Sequence, residues 1–123
     1  MKKLVSILLV LVLSLSLLTV ASAEAPKKVG VAMPTMDLQR WIQDGDNMKK
    51  QLEAAGYEVD LQYANNDVAT QVSQIENMLL NEVEVLVVAS IDGGALGTVL
   101  QQAKEAGVVV IAYDRLLTGT EYV

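Results

Sequence analysis

The chain has 123 residues, with nine basic and fifteen acidic side chains, no histidine and no cysteine, for a net charge of −6. One domain at most fits this length, and an acidic chain whose basic residues form no stripe is not expected to bind nucleic acid. Lacking His and Cys, it has neither the commonest general base and metal ligand nor a thiol nucleophile. Neither an enzyme nor a metal or cofactor site is expected, and the composition leans toward binding.

Lys2 and Lys3 precede an apolar run from Leu4 to Val20, and Ala21-Ser22-Ala23 places small residues where a signal peptidase reads. A membrane anchor is the competing reading of so long an apolar run. The Ala-x-Ala spacing, with no basic cluster after it, favours a cleaved signal peptide over residues 1–23. Absence of Cys closes the acyl-anchored lipoprotein route. Residues 24–123 are then expected in a periplasm or outside the cell. Loss of Lys2 and Lys3 leaves seven basic against fifteen acidic residues, a net charge of −8.

From Lys28 the chain alternates strand-like and helix-like segments. KVGVAM (28–33) is an apolar run with β-branched residues, closed by Pro34, and predicts a buried strand. Trp41, Gly45, Met48, Leu52 and Ala55 recur at spacings of four and three, which predicts one face of a helix ended by Gly56 at C′. YEVDLQY (57–63) alternates as a second strand. Asn65, Asn66 and Asp67 are N-cap candidates for a helix whose inner face is Val68, Val72, Ile75 and Leu79. VEVLVVA (83–89) is the third strand. Asp92 then reads as the cap of a third helix, with Leu96, Val99, Leu100 and Ala103 inward and Gly107 closing it. VVVIAY (108–113) is the fourth strand, and LLTGTEYV after Arg115 reads as a loop with the start of a fifth.

Four strands alternating with three helices predict an α/β fold, a doubly wound parallel sheet covered on both faces. The unbroken apolar character of the third and fourth strands agrees. QLEAAGYEVDLQYAN and QQAKEAGVVVIAYDR echo one another as helix end, Ala-Gly and strand. Edge strands of so small a sheet are expected to lie open.

In such a sheet, ligands bind beyond the carboxyl ends of the strands. The first strand leads there to Asp37, Arg40 and Trp41, the third to Ser90 and Asp92, the fourth to Asp114 and Arg115. A carboxylate beside a guanidinium suits a polyhydroxylated ligand: Asp114 accepts from neighbouring hydroxyls while Arg115 donates through a planar fork. Trp41 offers a flat surface for the C–H face of a sugar ring. Each has a plainer reading. The Asp114–Arg115 pair fits a rim salt bridge, Trp41 fits the core, and Asp92 fits a helix cap. Gly93, Gly94 and Gly97 lack the lysine of a phosphate loop.

The ordered set KVGVAMPT, RWIQDG, YANND, QVSQIENML, VLVVASIDGGAL and VIAYDRL resembles the N-terminal lobe of the periplasmic sugar-binding proteins of ABC importers. It is most similar to their xylose-binding and multiple-monosaccharide-binding branch, over residues 27 to 118. The resemblance implies a lobe of a two-lobed protein that closes on an aldose, either a xylose-like pentose or a hexose, and delivers it to a membrane permease. Arg40, Asp114 and Arg115 fall where the family places sugar-hydroxyl partners, and Trp41 lies beside Arg40 where relatives place stacking aromatics. A sensory role, presenting sugar to a chemoreceptor or sensor histidine kinase, fits the resemblance equally. Residues 24–123 match only part of that first lobe, with no counterpart of the hinge or second lobe. The half-site is therefore expected to hold sugar poorly or not at all, because burial of most of the ligand makes such contacts effective.

Overall fold

The computed structural model of the chain describes residues 24, 25 and 27–119. The signal peptide expected over residues 1–23 lies outside these described residues, as does most of the expected start of a fifth strand. The elements are β1 (Lys28–Met33), α1 (Gln39–Ala54), β2 (Glu58–Tyr63), α2 (Val68–Leu80), β3 (Val85–Val88), a 3-10 turn (Gly93–Leu96), α3 (Gly97–Glu105) and β4 (Val109–Ala112). All strand pairs are parallel, in the order β2-β1-β3-β4. The fold is the α/β, doubly wound parallel arrangement expected.

The order explains the layers. The chain moves one way from β1 to β2, then crosses back past β1 to β3 and β4. With crossovers of one hand, that reversal puts α1 on one face of the sheet and α2 and α3 on the other. Val29, Val31 and Met33 of β1 pack with Trp41 on the α1 side. Ala32, Leu86, Val88 and Val110 meet Ile75 and Met78 of α2, and Leu96, Val99, Leu100 and Ala103, on the other side. Each fully buried Ile or Leu there contributes about 1.5–3 kcal/mol of transfer free energy.

All three α-helices end in the same way. After α1, Gly56 (φ 93) donates to the Glu53 carbonyl and Tyr57 to the Leu52 carbonyl, each at 3.0 Å. This is the paired-bond C-terminal cap that needs a left-handed residue at C′. Gly107 repeats the arrangement after α3, and Glu82 (φ 61), which has a side chain, takes the same role after α2. The two glycine stops were legible in the sequence; the glutamate stop was not.

Three local expectations are corrected. On α2 the fully buried face is Gln71, Ile75 and Met78, with Val68, Val72 and Leu79 only partly buried. Hydropathy leaves Gln71 out of the inner face because it cannot register that both ends of its amide are hydrogen bonded inside. On α1, Ala55 is exposed, since the helix has reached its cap there. The fourth strand is not buried on both faces: Val109 is 58% and Ile111 46% exposed. They pair with Val85 and Val87 on the α1 face, where α1 packs chiefly against β1 and β2 and leaves β4 largely uncovered.

Candidate functional site at the carboxyl rim

The strand register sets the site. Met33 pairs with Tyr63, Ala32 with Val88, and Val88 with Ala112, so the strands end nearly level. The segments after β1, β3 and β4 leave the sheet along one rim. The winding reverses at β1, and the crevice beside such a switch point is where open α/β sheets take ligands.

Arg40 lies in the first turn of α1, brought to the rim by the β1–α1 loop. In that loop Thr35 is buried, and its Oγ1 accepts from the Asp37 amide at 3.1 Å. Asp114 arrives from β4, and Arg40 Nη2 donates to Asp114 Oδ1 across a sequence gap of 74 residues. Arg40 Nε also pairs with Asp44 Oδ2 at 3.4 Å, one helical turn on. The hydrogen bond to Asp114 is the main force raising the Arg40 guanidinium above its ordinary pKa, so Arg40 stays charged at any working pH.

Asp114 sits in an uncommon backbone conformation. Its φ is 61, and the Arg115 amide donates to the Tyr113 carbonyl at 2.6 Å, closing a three-residue turn around it. The form of that turn with a positive central φ is rare and strained, and strain held by its surroundings gathers at functional sites. The turn projects two consecutive charged side chains from one strand end.

Arg115 turns toward β3, where its Nη1 donates to the Ser90 carbonyl at 2.8 Å. Both guanidiniums then meet one ring: Arg40 Cζ lies 4.9 Å and Arg115 Cζ 5.2 Å from the Trp41 centroid. Trp41 itself is 2% exposed and belongs to the core cluster on the α1 face. The indole therefore serves as a cation–π platform under the two arginines, and its Nε1–H is buried with no hydrogen-bond partner among the described residues. Gly45, a turn further along α1, has no room for a side chain, because the Tyr63 hydroxyl occupies the place of a Cβ and donates to the Trp41 carbonyl at 3.4 Å.

The structure thus brings Arg40, Trp41, Asp114 and Arg115 together. Asp37 is exposed, and among the described residues no hydrogen bond or ion pair of its side chain joins the cluster. Asp92 acts as a cap: its Oδ1 accepts from the Gly94 amide at 2.9 Å, but it caps the 3-10 turn, and α3 starts only at Gly97. Two further residues of the cluster escaped the sequence reading. Asp44 was detectable by its spacing of four from Arg40. Tyr113 was read as strand; its phenol pKa is raised by burial first and then by hydrogen bonding to Asp44. A shallow concavity lined by Lys27, Val29, Tyr57, Leu79 and Val108 lies at the amino ends of the strands, away from these groups. Among the described residues no carboxylate cluster could hold a metal ion, and no helix is long and apolar enough to cross a membrane.

A parallel sheet of this order, with an ionic cluster at its carboxyl rim, has the architecture of a periplasmic-binding-protein lobe. The chain belongs to the periplasmic binding protein domain family, whose model matches residues 29–123. It is 55% identical over 101 residues to the multiple sugar-binding periplasmic protein SbpA of Azospirillum brasilense, covering 82% of this chain and 28% of the relative. It is 40% identical over 119 residues to the D-xylose-binding periplasmic protein of Escherichia coli (strain K12), covering 97% of this chain and 36% of the relative. Among solved structures, an ABC transporter solute binding protein from Clostridium phytofermentans with bound β-D-glucose superposes with a TM-score of 0.78 at 69% identity. That match covers 79% of this chain and 30% of the other. The chain thus spans about a third of the length of these relatives.

Proposed function

We propose that this chain is the first-lobe portion of the substrate-binding component of a sugar ABC importer, taking an aldose such as xylose, arabinose, glucose or galactose. The observation that carries the reading is the meeting of Arg40, Asp114 and Arg115 at one rim from opposite ends of the sequence. Asp114 offers acceptor oxygens to adjacent hydroxyls, while the two guanidiniums, held over Trp41, offer fixed donors. A neutral polyol matches this mixture; a phosphate would meet the Asp114 and Asp44 carboxylates. The proteins similar to this chain, which bear the names of sugar-binding periplasmic proteins, support the same class.

Binding is the whole of the activity in this reading, with no chemical step and no cofactor. Trp41 acts through the arginines rather than as an open stacking face. Export by a signal peptide over residues 1–23, residence in the periplasm and delivery to a membrane permease belong to the same proposal. The test is nuclear magnetic resonance of the 123-residue chain titrated with these aldoses. The expected result is saturable shifts of the Arg40, Tyr113, Asp114 and Arg115 amides, with dissociation constants on the order of millimolar because one lobe leaves much of the ligand in water. If none of the sugars shifts the rim, the reading fails; micromolar binding would contradict the half-site argument.

A further inference from the structure

Gln71 of α2 is 0% exposed, on the helix face that packs Ile75 and Met78 into the core. A buried amide is costly unless both of its ends are bonded. Its Nε2 donates to the Ala89 carbonyl at 3.0 Å, and its Oε1 accepts from the Ile91 amide at 2.9 Å. Those two partners flank Ser90, which is also buried and whose carbonyl receives Arg115 Nη1 at 2.8 Å. The chain of contacts ends on Trp41, with the Arg115 guanidinium 5.2 Å from the ring centroid.

We propose that Gln71 is a positioning residue of the rim. By gripping the backbone on both sides of Ser90 it fixes the carbonyl that holds Arg115 over Trp41. The consequence for sugar affinity rests on the function proposed above; the positioning itself does not. A residue that merely filled space could be replaced by any side chain of equal volume, whereas a clamp needs one donor and one acceptor. Among the described residues no hydrogen bond joins Gln71 to the rim charges, so in this proposal it acts on the ligand through Ser90 and Arg115.

Trp41 is the single tryptophan of the chain, so its emission reads the arginine above it directly and without sugar. Emission would be recorded for the full chain, Gln71→Met, Arg115→Met and the double variant, with circular dichroism verifying the fold. Gln71→Met is expected to give most of the change produced by Arg115→Met, and the double variant to match Arg115→Met alone, since coupled residues do not add. Wild-type emission from Gln71→Met, or additive changes in the double variant, would overturn the proposal. Gln71→Glu supplies a second test that does not depend on Gln71→Met folding. A neutral carboxyl can both donate to Ala89 and accept from Ile91, a carboxylate cannot donate, and burial raises the carboxyl above its ordinary range. Each compared with wild type at the same pH, Gln71→Glu is expected to match it at about pH 5 and to depart from it at about pH 8. Equal emission at both values, with carbon-13 resonance showing that the introduced carboxyl ionises between them, would reject the clamp. Sugar titration of the unmodified chain is scored separately, so loss of the sugar reading and loss of the clamp are distinguishable.

Discussion

Arg40 and Asp114, separated by 74 residues in sequence, are joined by a hydrogen bond between charged groups at the carboxyl rim of the sheet. The pair is open to water, which limits its share of stability. If the proposed sugar site is right, Arg40→Met and Asp114→Asn each remove a charged hydrogen-bonding group from it and are expected to weaken sugar binding by about tenfold or more. Thermal midpoints should hardly move. Titration followed by nuclear magnetic resonance, alongside melting curves, checks both halves.

The left-handed φ of Asp114 sets up a second comparison. Asp114→Ala and Asp114→Gly both delete the carboxylate and are both expected to abolish the sugar response. They differ only in backbone tolerance: alanine pays a steric cost at φ 61 that glycine does not. The alanine variant should be less stable than the glycine variant by about 1 kcal/mol, measured by urea denaturation. Equal stabilities would mean the turn carries no strain.

Glu82 occupies the C′ position of α2 with a φ of 61, the place where α1 and α3 use glycine. Glu82→Gly should raise stability by about 0.5–1 kcal/mol, with no effect on the rim, which lies at the other end of the sheet. A higher urea midpoint with an unchanged slope would verify it.

Asp67 caps α2, and its carboxylate accepts from the Thr70 amide at 2.6 Å. Hydrogen bonding to Thr70 lowers its pKa below the ordinary 3.8. A lowered carboxyl stabilises the folded chain above the unfolded value, and that contribution is lost as pH falls through the folded one. Asp67→Asn should therefore remove part of the fall in stability below about pH 3.8 and leave a flatter acid limb. Urea midpoints for both chains from neutral to acid pH measure the difference; identical limbs would contradict it.

Much of the fold was legible before any coordinates. β1 has the bounds that KVGVAM and Pro34 imply, Gly56 and Gly107 stop their helices, and Asp67 caps α2. These are local matters, settled by apolar period, φ preference and short side-chain reach. The site was legible in part, because residues that follow a parallel strand must emerge at its carboxyl end. Asp44 lay in plain view by its spacing from Arg40. Ser90 was named, but its contribution is a backbone carbonyl, which sequence does not distinguish from any other.

The sequence by itself determined the alternation of strands and helices, the parallel sheet and the rim to which Arg40, Asp114 and Arg115 are delivered. Its apolar pattern repeats over a few residues, and each repeat must bury one face. Only the tertiary structure decided that Trp41 lies in the core beneath two guanidiniums, that Gln71 is buried, and that Val109 and Ile111 are left uncovered. The physical reason is the same in all three cases. Burial of a side chain depends on partners supplied by distant segments: the hydrogen bonds of Gln71 come from 18 and 20 residues away, and the bond from Arg115 to Ser90 spans 25.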